Sequence, residues 1–383
     1  MSHESHDGVN GVGNHAAFDG DPSCRSRSPV RRRHVATTPS GSRGGARRPG
    51  RAGPAHGLWR WRRARRRAGR SDRERRHGHG HGVVGGRRAP RGAGVPAGPQ
   101  PAAPPQRIVT MDGGAAAILT RLGVGDRIVG TAAPDFFAAF TGEERAQLDR
   151  IPVIDPGQGN AEAVIAARPD MVVGISTYSF GGFDGTPTVD RLAQAGAAAL
   201  VACEGAGPGP VTDLSATLGF VRETAGVLGV ADRGEQLAQQ IEAEIQAARP
   251  PAGTPPVRVL ALSSAPAAGQ PLMTQGGQSL ANGIIALAGG ENVAQDAAGD
   301  FASLNAEQVV ARDPQAIVVV TGFSPQSDAE LTEAIRASPV LAPTTAVREN
   351  RLVTVPQSIL LSPSVLNGRA VAEIAGGLHT PAG

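Results

Sequence analysis

Two carboxylates, Glu162 and Glu307, stand in copies of one short motif. Residues 160–174 read NAEAVIAARPDMVVG and residues 305–319 read NAEQVVARDPQAIVV, identical at seven of fifteen aligned positions. Asn, Ala and Glu open both copies, Val, Ala and Pro follow at matched offsets, and a β-branched run closes each. A carboxylate near the exposed start of a helix has no packing reason to recur, so the repeat suits two similar units built in one chain. A second account stays open. Each Glu would merely complement the positive end of its own helix, worth well under about 1 kcal/mol at an exposed site.

The rest of the chemical inventory is sparse. His379 is the only histidine after residue 106. No Ser-His-Asp or Cys-His pair is in view, although acid–base work by carboxylates alone stays open. The segment MDGGAAAI, residues 111–118, does not supply G-x-G-x-x-G, and there is no P-loop. One histidine is too few for a bare zinc or manganese site. These counts assign no catalytic residue and no metal ligand. A haem pocket would want His, Tyr, Met or Cys as axial ligand. Tyr178 is the only tyrosine of the chain, in GISTYSFGGFDG just past a strand end. It is a candidate cleft residue, or a tyrosine packing a loop.

The elements that position these groups lie in one part of the chain. The 383 residues include no Lys, and all 38 basic residues are Arg. Residues 1–106 carry 22 Arg against 6 acidic residues, and the remainder carries 16 against 28, a net of −12. Eight of nine His and both Trp also precede residue 107. Residues 1–105 are Arg/Gly/Pro-rich without helical or strand period, and are expected to be disordered. One reading makes them a nucleic-acid arm, with Trp59 and Trp61 stacking on bases, and gives HGHGHG a weak metal affinity. A second reading fits the expected export of the body better: a mis-framed signal peptide and tether. Arg codons read one base later encode Ala, Val, Gly or Asp, and GLWRW becomes Ala-Cys-Gly-Gly-Gly, similar to a lipoprotein cleavage site. Cys24 and Cys203 fall one in each part, so neither part holds a disulfide framework, and Cys203 reads as a small buried hydrophobe. No apolar run reaches the length of a transmembrane helix.

From Arg107 the pattern alternates. RIVTM is a strand, GGAAAILTRLG a helix, RIVGTA a strand, EERAQLDRI a helix and PVIDP a strand. Asn160 is a natural N-cap, Val164 and Ile165 face the core, and Pro169 stops that helix before the strand MVVGIS. Residues 257–378 repeat the alternation. The spacing predicts two α/β lobes, residues 106–211 and 256–383, each with a parallel sheet covered on both faces. Connecting helices fill 212–250. Leu214, Leu218, Val221, Ala225 and Leu228 form one stripe, Gly229 interrupts, and Leu237, Ile241 and Ile245 form the next. Asp232 with Glu235 resembles a capping box at the start of a helix of about 17 residues, long enough to act as a stiff strut.

Four segments in this order carry a resemblance: RIVTMDGGAAAILTRLGVGDRIVGTA, NAEAVIAARPDMVVG, LNAEQVVARDPQAIVVV and SPVLAPTTAVRENRLVTVP with the closing GGLH. They resemble the iron-chelate and cobalamin class of ABC-transporter substrate-binding proteins over roughly residues 106–381. The resemblance implies two Rossmann-like lobes joined by a long rigid helix. A metal chelate would be clamped in the cleft between them and delivered to a permease dimer of the cytoplasmic membrane. It implies a monomer, extracytoplasmic and lipid-anchored, with no resident cofactor, since the ferric chelate is cargo. In that family one Glu on each lobe rim docks onto permease arginines, and Glu162 and Glu307 hold the matching positions. A two-fold partner suits two similar carboxylates.

Ligands of open α/β sheets sit beyond the carboxyl ends of the strands. That selects Thr110, Met111, Asp112, Asp135, Phe136, Gln158, Ser176 and Tyr178 in the first lobe. In the second it selects Ser263, Ser264, Gln275, Phe323 and Ser358. The set is poor in basic residues, which disfavours a highly anionic catecholate chelate and favours a neutral or weakly charged one such as a ferric hydroxamate. Cobalamin or haem in the same fold, a chelatase-like enzyme, and a nucleic-acid protein working through its Arg arm are the other expectations.

Overall fold

In this computed structural model the structure describes residues 103–202, 209–267, 269–323 and 326–379. Cys24, Cys203, Trp59, Trp61, the HGHGHG run and the signal-and-tether reading lie outside the described residues.

The first lobe alternates strand and helix. Its elements are β1 (Ile108–Thr110), α1 (Gly113–Arg121), β2 (Ile128–Ala132), α2 (Gly142–Leu148), β3 (Val153–Asp155), α3 (Ala161–Ala166), β4 (Met171–Gly174), α4 (Val189–Gln194) and β5 (Ala198–Val201). All neighbouring pairs are parallel, in the order β3-β2-β1-β4-β5. Every residue of β1 and β4 is buried, as a sheet covered on both faces requires.

Two helices lead out of this lobe, α5 (Ser215–Val227) and α6 (Ala231–Ala248). Their apolar stripes are buried as the 3.6 period predicts, from Leu214 through Leu228 and from Leu237 to Ile245. Gly229, at φ +76°, makes the turn between them. The helices then pack closely, because a Cβ on Gly234 would stand 2.3 Å from that of Ala225. At 18 residues α6 is about 27 Å long. The expected capping box does not form. Val230 is the N-cap without a side-chain bond, and Glu235 instead pairs with Arg222 of α5 at 2.7 Å. A strong cation one helix away outcompetes a local amide.

The second lobe holds β6 (Val257–Leu262), β7 (Leu272–Gln275), α7 (Leu280–Leu287), β8 (Gly290–Asn292), β9 (Phe301–Leu304), α8 (Ala306–Arg312), β10 (Ala316–Thr321), α9 (Asp328–Arg336), α10 (Thr345–Arg348), β11 (Leu352–Pro356), α11 (Gln357–Leu360) and α12 (Asn367–His379). A parallel sheet runs β11-β10-β6-β8, with β10 (AIVVVT) buried at all six positions. The sequence did not suggest the antiparallel ribbon of β7 and β9. Thr274 ties it to the sheet by donating to the Ala261 carbonyl at 2.8 Å.

The connecting helices are tied to both lobes. Arg233 of α6 donates to the carbonyls of Leu122 and Gly123, which end α1, at 3.1 and 3.2 Å. Arg127 of the first lobe donates to the Leu228 carbonyl at 3.0 Å. The rest of α6 lies along α12 of the second lobe. The long helix therefore braces one lobe against the other.

Candidate functional site

The repeated motif builds the same feature twice. Asn160 caps α3, its side chain accepting from the amides of Glu162 and Ala163 at 2.9 and 3.4 Å. Asn305 caps α8 in a full capping box with Gln308. The Asn recurs because each short helix needs a cap, worth about 1 kcal/mol. Each Glu is then the second helical residue and is exposed. Val164 is buried, but Ile165 is only half-buried, so the core face of α3 is narrower than its sequence suggests. In each lobe the motif leads into a strand beside the lobe's first strand, β4 beside β1 and β10 beside β6. The two carboxylates differ in one respect: Glu162 is ion-paired with Arg191 of α4, whereas Glu307 has no ion-pair partner among the described residues.

The carboxyl ends of the two sheets meet. The 3-10 turn Pro134–Ala139 follows β2, α11 follows β11, and the two are in contact. At the start of α1, a Cβ on Gly114 would approach the Pro363 carbonyl to 3.4 Å. This joint would be the floor of the candidate cleft, whose walls would be the loops beyond the strands.

On the first-lobe wall, Asp135 and Gln158 are exposed, Phe136 and Ser176 half-buried, and Tyr178 is 43% exposed. Asp155 holds the Gln158 loop, accepting from the amides of Gly157 at 2.9 Å, Gly159 at 3.1 Å and Asn160. Those amides keep its carboxyl below the usual carboxylate range. Gly159, at φ +93°, leaves room for Met111, whose Cε would stand 2.4 Å from an added Cβ. Tyr178 packs against Phe183 with ring centroids 5.7 Å apart. The same loop reaches the first copy of the repeated motif, since Ala161 donates to the Gly185 carbonyl at 2.8 Å.

Thr110, Met111 and Asp112 are at most 4% exposed. They stand behind the wall and offer no surface to a ligand. Thr110 donates to Thr131 at 2.8 Å, and Asp112 is the N-cap of α1. Gln275 and Ser358 are likewise buried. On the second-lobe wall, Ser264 is exposed and Ser263 half-buried, beside a hollow of about 140 Å³ lined by Leu262, Gln270 and Met273. Phe323 is exposed at the end of β10, and the Gln357 side chain donates to the Gly322 carbonyl beside it at 2.5 Å.

Sequence reasoning missed Phe183, Met273 and Phe301. All three are large apolar side chains left exposed, and the last two share the outer face of the ribbon with Ser303. A strand pattern in FASL or LMTQ was the only signal, and it is weak in β-branched residues. The strand-end segments 110–114, 133–140, 156–160, 175–187, 263–267, 269–273, 301–303, 322–323 and 357–366 contain no arginine, and their acids are Asp112, Asp135 and Asp184. Among the described residues no cluster of His, Cys, Asp and Glu could hold a bare metal ion, and no helix is long and apolar enough to cross a membrane. The arrangement offers aromatic and thioether faces, a few hydroxyls and amides, and little charge.

A family model described as periplasmic binding protein matches residues 108–359. The cobalamin-binding protein of Halobacterium salinarum is 26% identical over 278 residues, which cover 72% of this chain and 70% of that protein. A periplasmic binding protein of Veillonella parvula superposes with a TM-score of 0.63 at 20% identity, over 73% of this chain and 93% of that one. The apo form of a periplasmic heme-binding protein of Roseiflexus sp. RS-1 gives a TM-score of 0.56 at 25% identity, over 72% and 98%.

Proposed function

The chain belongs to the periplasmic binding protein family, and from that footing we propose that it is the extracytoplasmic substrate-binding component of an ABC importer. It takes a metal chelate of low net charge between its lobes and passes it to a permease dimer in the membrane. The observation that supports this reading is the character of the strand-end loops: exposed Tyr178, Phe183, Met273, Phe301 and Phe323, in or beside segments without a single arginine. A ligand of high negative charge would leave its anionic groups without charge-assisted partners. A neutral ferric hydroxamate presents apolar surface and amide-like oxygens, which aromatic faces and hydroxyls satisfy. The chelate is cargo, so the protein needs no resident cofactor, and no catalytic role is assigned.

A corrinoid is the second reading. It is favoured by the halobacterial relative that is named for cobalamin binding, and its broad face suits the same aromatic walls. Docking through Glu162 and Glu307, a monomeric state and a lipid anchor complete the proposal. Two exposed carboxylates on matching helix starts support the docking.

Thermal unfolding of the full chain against a panel tests it. The panel holds a ferric trihydroxamate, cyanocobalamin, haem, a ferric tricatecholate and free ferric ion. A ligand at 100 times its dissociation constant stabilises by about 2.7 kcal/mol. A shift with the trihydroxamate or cyanocobalamin supports the reading. A shift with the tricatecholate alone, or with none of the five, overturns it.

A further inference from the structure

Asp112 lies where three pieces of the cleft wall converge, yet it is 4% exposed and touches no ligand surface. It follows β1 directly and caps α1, Oδ1 accepting from the Ala115 amide at 2.7 Å. Its other oxygen, Oδ2, accepts from the amide of Ile175 at 3.0 Å. Ile175 is the residue after β4, where the strand has ended and the chain turns toward Ser176 and Tyr178. Ser176 then caps the 3-10 turn Thr177–Ser179 by accepting from the Tyr178 amide at 3.3 Å. One carboxylate thus ties the end of β1, the first turn of α1 and the departure of the tyrosine loop.

Capping alone does not call for this group. Asn or Ser caps a helix about as well as Asp and brings no charge into the interior. Burial pushes the Asp112 carboxyl up to about 6, against the lowering effect of the amides of Ala115, Ile175 and Gly114. The second oxygen, aimed at Ile175, is the feature that distinguishes Asp from the alternatives. A carboxylate is acceptor-only and serves both amides at once.

We propose that Asp112 is a positioning residue of the ligand cleft, its ionised carboxylate fixing the Ile175–Tyr178 edge from behind. The inference rests on the reading of the cleft as the ligand site. Ionisable groups on the elements packed around it are Arg121 on α1, Asp135 on the turn after β2 and Asp155 before α3. Arg121 is bound to Glu144 at 2.6 Å and is donor-only, and Asp155 is held by its three backbone amides, so neither accepts from the Ala115 and Ile175 amides in place of Asp112.

Two variants separate the tie from the cap. Asp112→Asn keeps an oxygen for Ala115 but turns a donor toward the Ile175 amide. Asp112→Ser keeps a cap and is too short to reach Ile175. Amide hydrogen exchange on the full chain is the first measurement and needs no ligand. In both variants exchange at Ile175–Tyr178 rises about tenfold, while the amides of β1 and the body of β4 keep their protection. In the wild type, protection at Ile175, corrected for intrinsic rate, weakens as pH falls through about 6, where the carboxyl protonates, and in Asp112→Asn it does not. Affinity for a ferric trihydroxamate or cyanocobalamin falls several-fold in both variants. Unchanged exchange at Ile175–Tyr178 overturns the proposal. So does acceleration spread evenly through β1 and β4, which marks a purely structural residue, or a raised local exchange that leaves affinity intact. If the wild type binds neither probe, the functional reading fails on its own, and the exchange data still decide the role of Asp112.

Discussion

Arg369 of the second lobe donates to the carbonyl of Ala139 in the first at 3.0 Å. Arg121 crosses in the opposite direction, reaching the Val365 carbonyl at 3.4 Å. Each arginine is held by a carboxylate of its own lobe, Glu373 at 2.7 Å and Glu144 at 2.6 Å. The pair forms two crossed latches at the joint between the lobes, in addition to the brace of α6.

Removing a latch loosens the joint more than it unfolds the protein. Both guanidiniums are partly exposed, so Arg369→Ala and Arg121→Ala each lower stability by about 1 kcal/mol or less. The expected result is a small drop in the urea midpoint, with a wider spread of lobe separations in small-angle scattering of the double variant. A double variant with an unchanged scattering profile would show that α6 alone sets the geometry.

Glu223 on α5 gives a pH signature. Burial raises its carboxyl from 4.5 to about 7, with no partner cation among the causes. A raised carboxyl contributes stability that is present below its unfolded pKa and lost as pH rises through the folded one. Stability therefore declines between about pH 4.5 and 7 from this group. Glu223→Gln removes the decline and stabilises the protein at pH 8 by about 1–2 kcal/mol after allowance for partial solvent screening. It leaves pH 4 nearly unchanged. Urea midpoints at both pH values check the sign.

Asp155 acts in the other direction. Backbone amides hold its carboxyl low, so its contribution is present above its unfolded pKa near 3.8 and lost as pH falls below that. Asp155→Ala frees the amides of Gly157, Gly159 and Asn160. Exchange at these three amides rises while β2 stays protected, and the stability difference from wild type shrinks as pH falls below 3.8.

The docking carboxylates are predicted to matter for delivery and not for binding. Glu162→Ala and Glu307→Ala each reduce chelate uptake by cells that make the protein about tenfold, with the chelate dissociation constant unchanged. Arg191→Ala releases Glu162 from its ion pair and leaves uptake intact or raised. Loss of chelate binding in either Glu variant would place these residues in the cleft instead of on a partner surface.

The aromatic wall is testable directly. Phe183→Ala and Phe301→Ala each weaken chelate affinity about 3- to 10-fold, the range expected for one aromatic contact. Both are exposed, so folding stability changes by less than about 0.5 kcal/mol. Equal affinity in all three proteins would move the ligand elsewhere.

Much of this architecture is legible from local chemistry. Runs such as MVVG and AIVVVT, rich in β-branched residues, suit central strands covered on both faces, and Asn160 and Asn305 announce the helices they cap. The long helix follows from the spacing of Leu237, Ile241 and Ile245. The β7–β9 ribbon was not legible because Leu272–Gln275 pairs with Phe301–Leu304 across a long loop, and neither segment has a strong strand pattern. Its exposed Met273 and Phe301 were missed with it. Position at a strand end identified Asp112 and Thr110, but could not say that their side chains turn inward. Glu235 was misassigned because a capping box is a local pattern, and the Arg222 that captures it lies 13 residues away.

The central claim is that a low-charge metal chelate binds between the carboxyl edges of the two sheets. The most direct measurement is amide exchange of the full chain with and without the chelate that stabilises it. Protection is expected in both walls together, at residues 134–137 and 175–186 of the first lobe and 263–273, 301–303 and 322–323 of the second. A separate hollow of about 530 Å³, lined by Ala248, Pro250, Thr254, Ala372 and His379, provides the contrast. Protection concentrated there, or confined to a single lobe, would contradict the account.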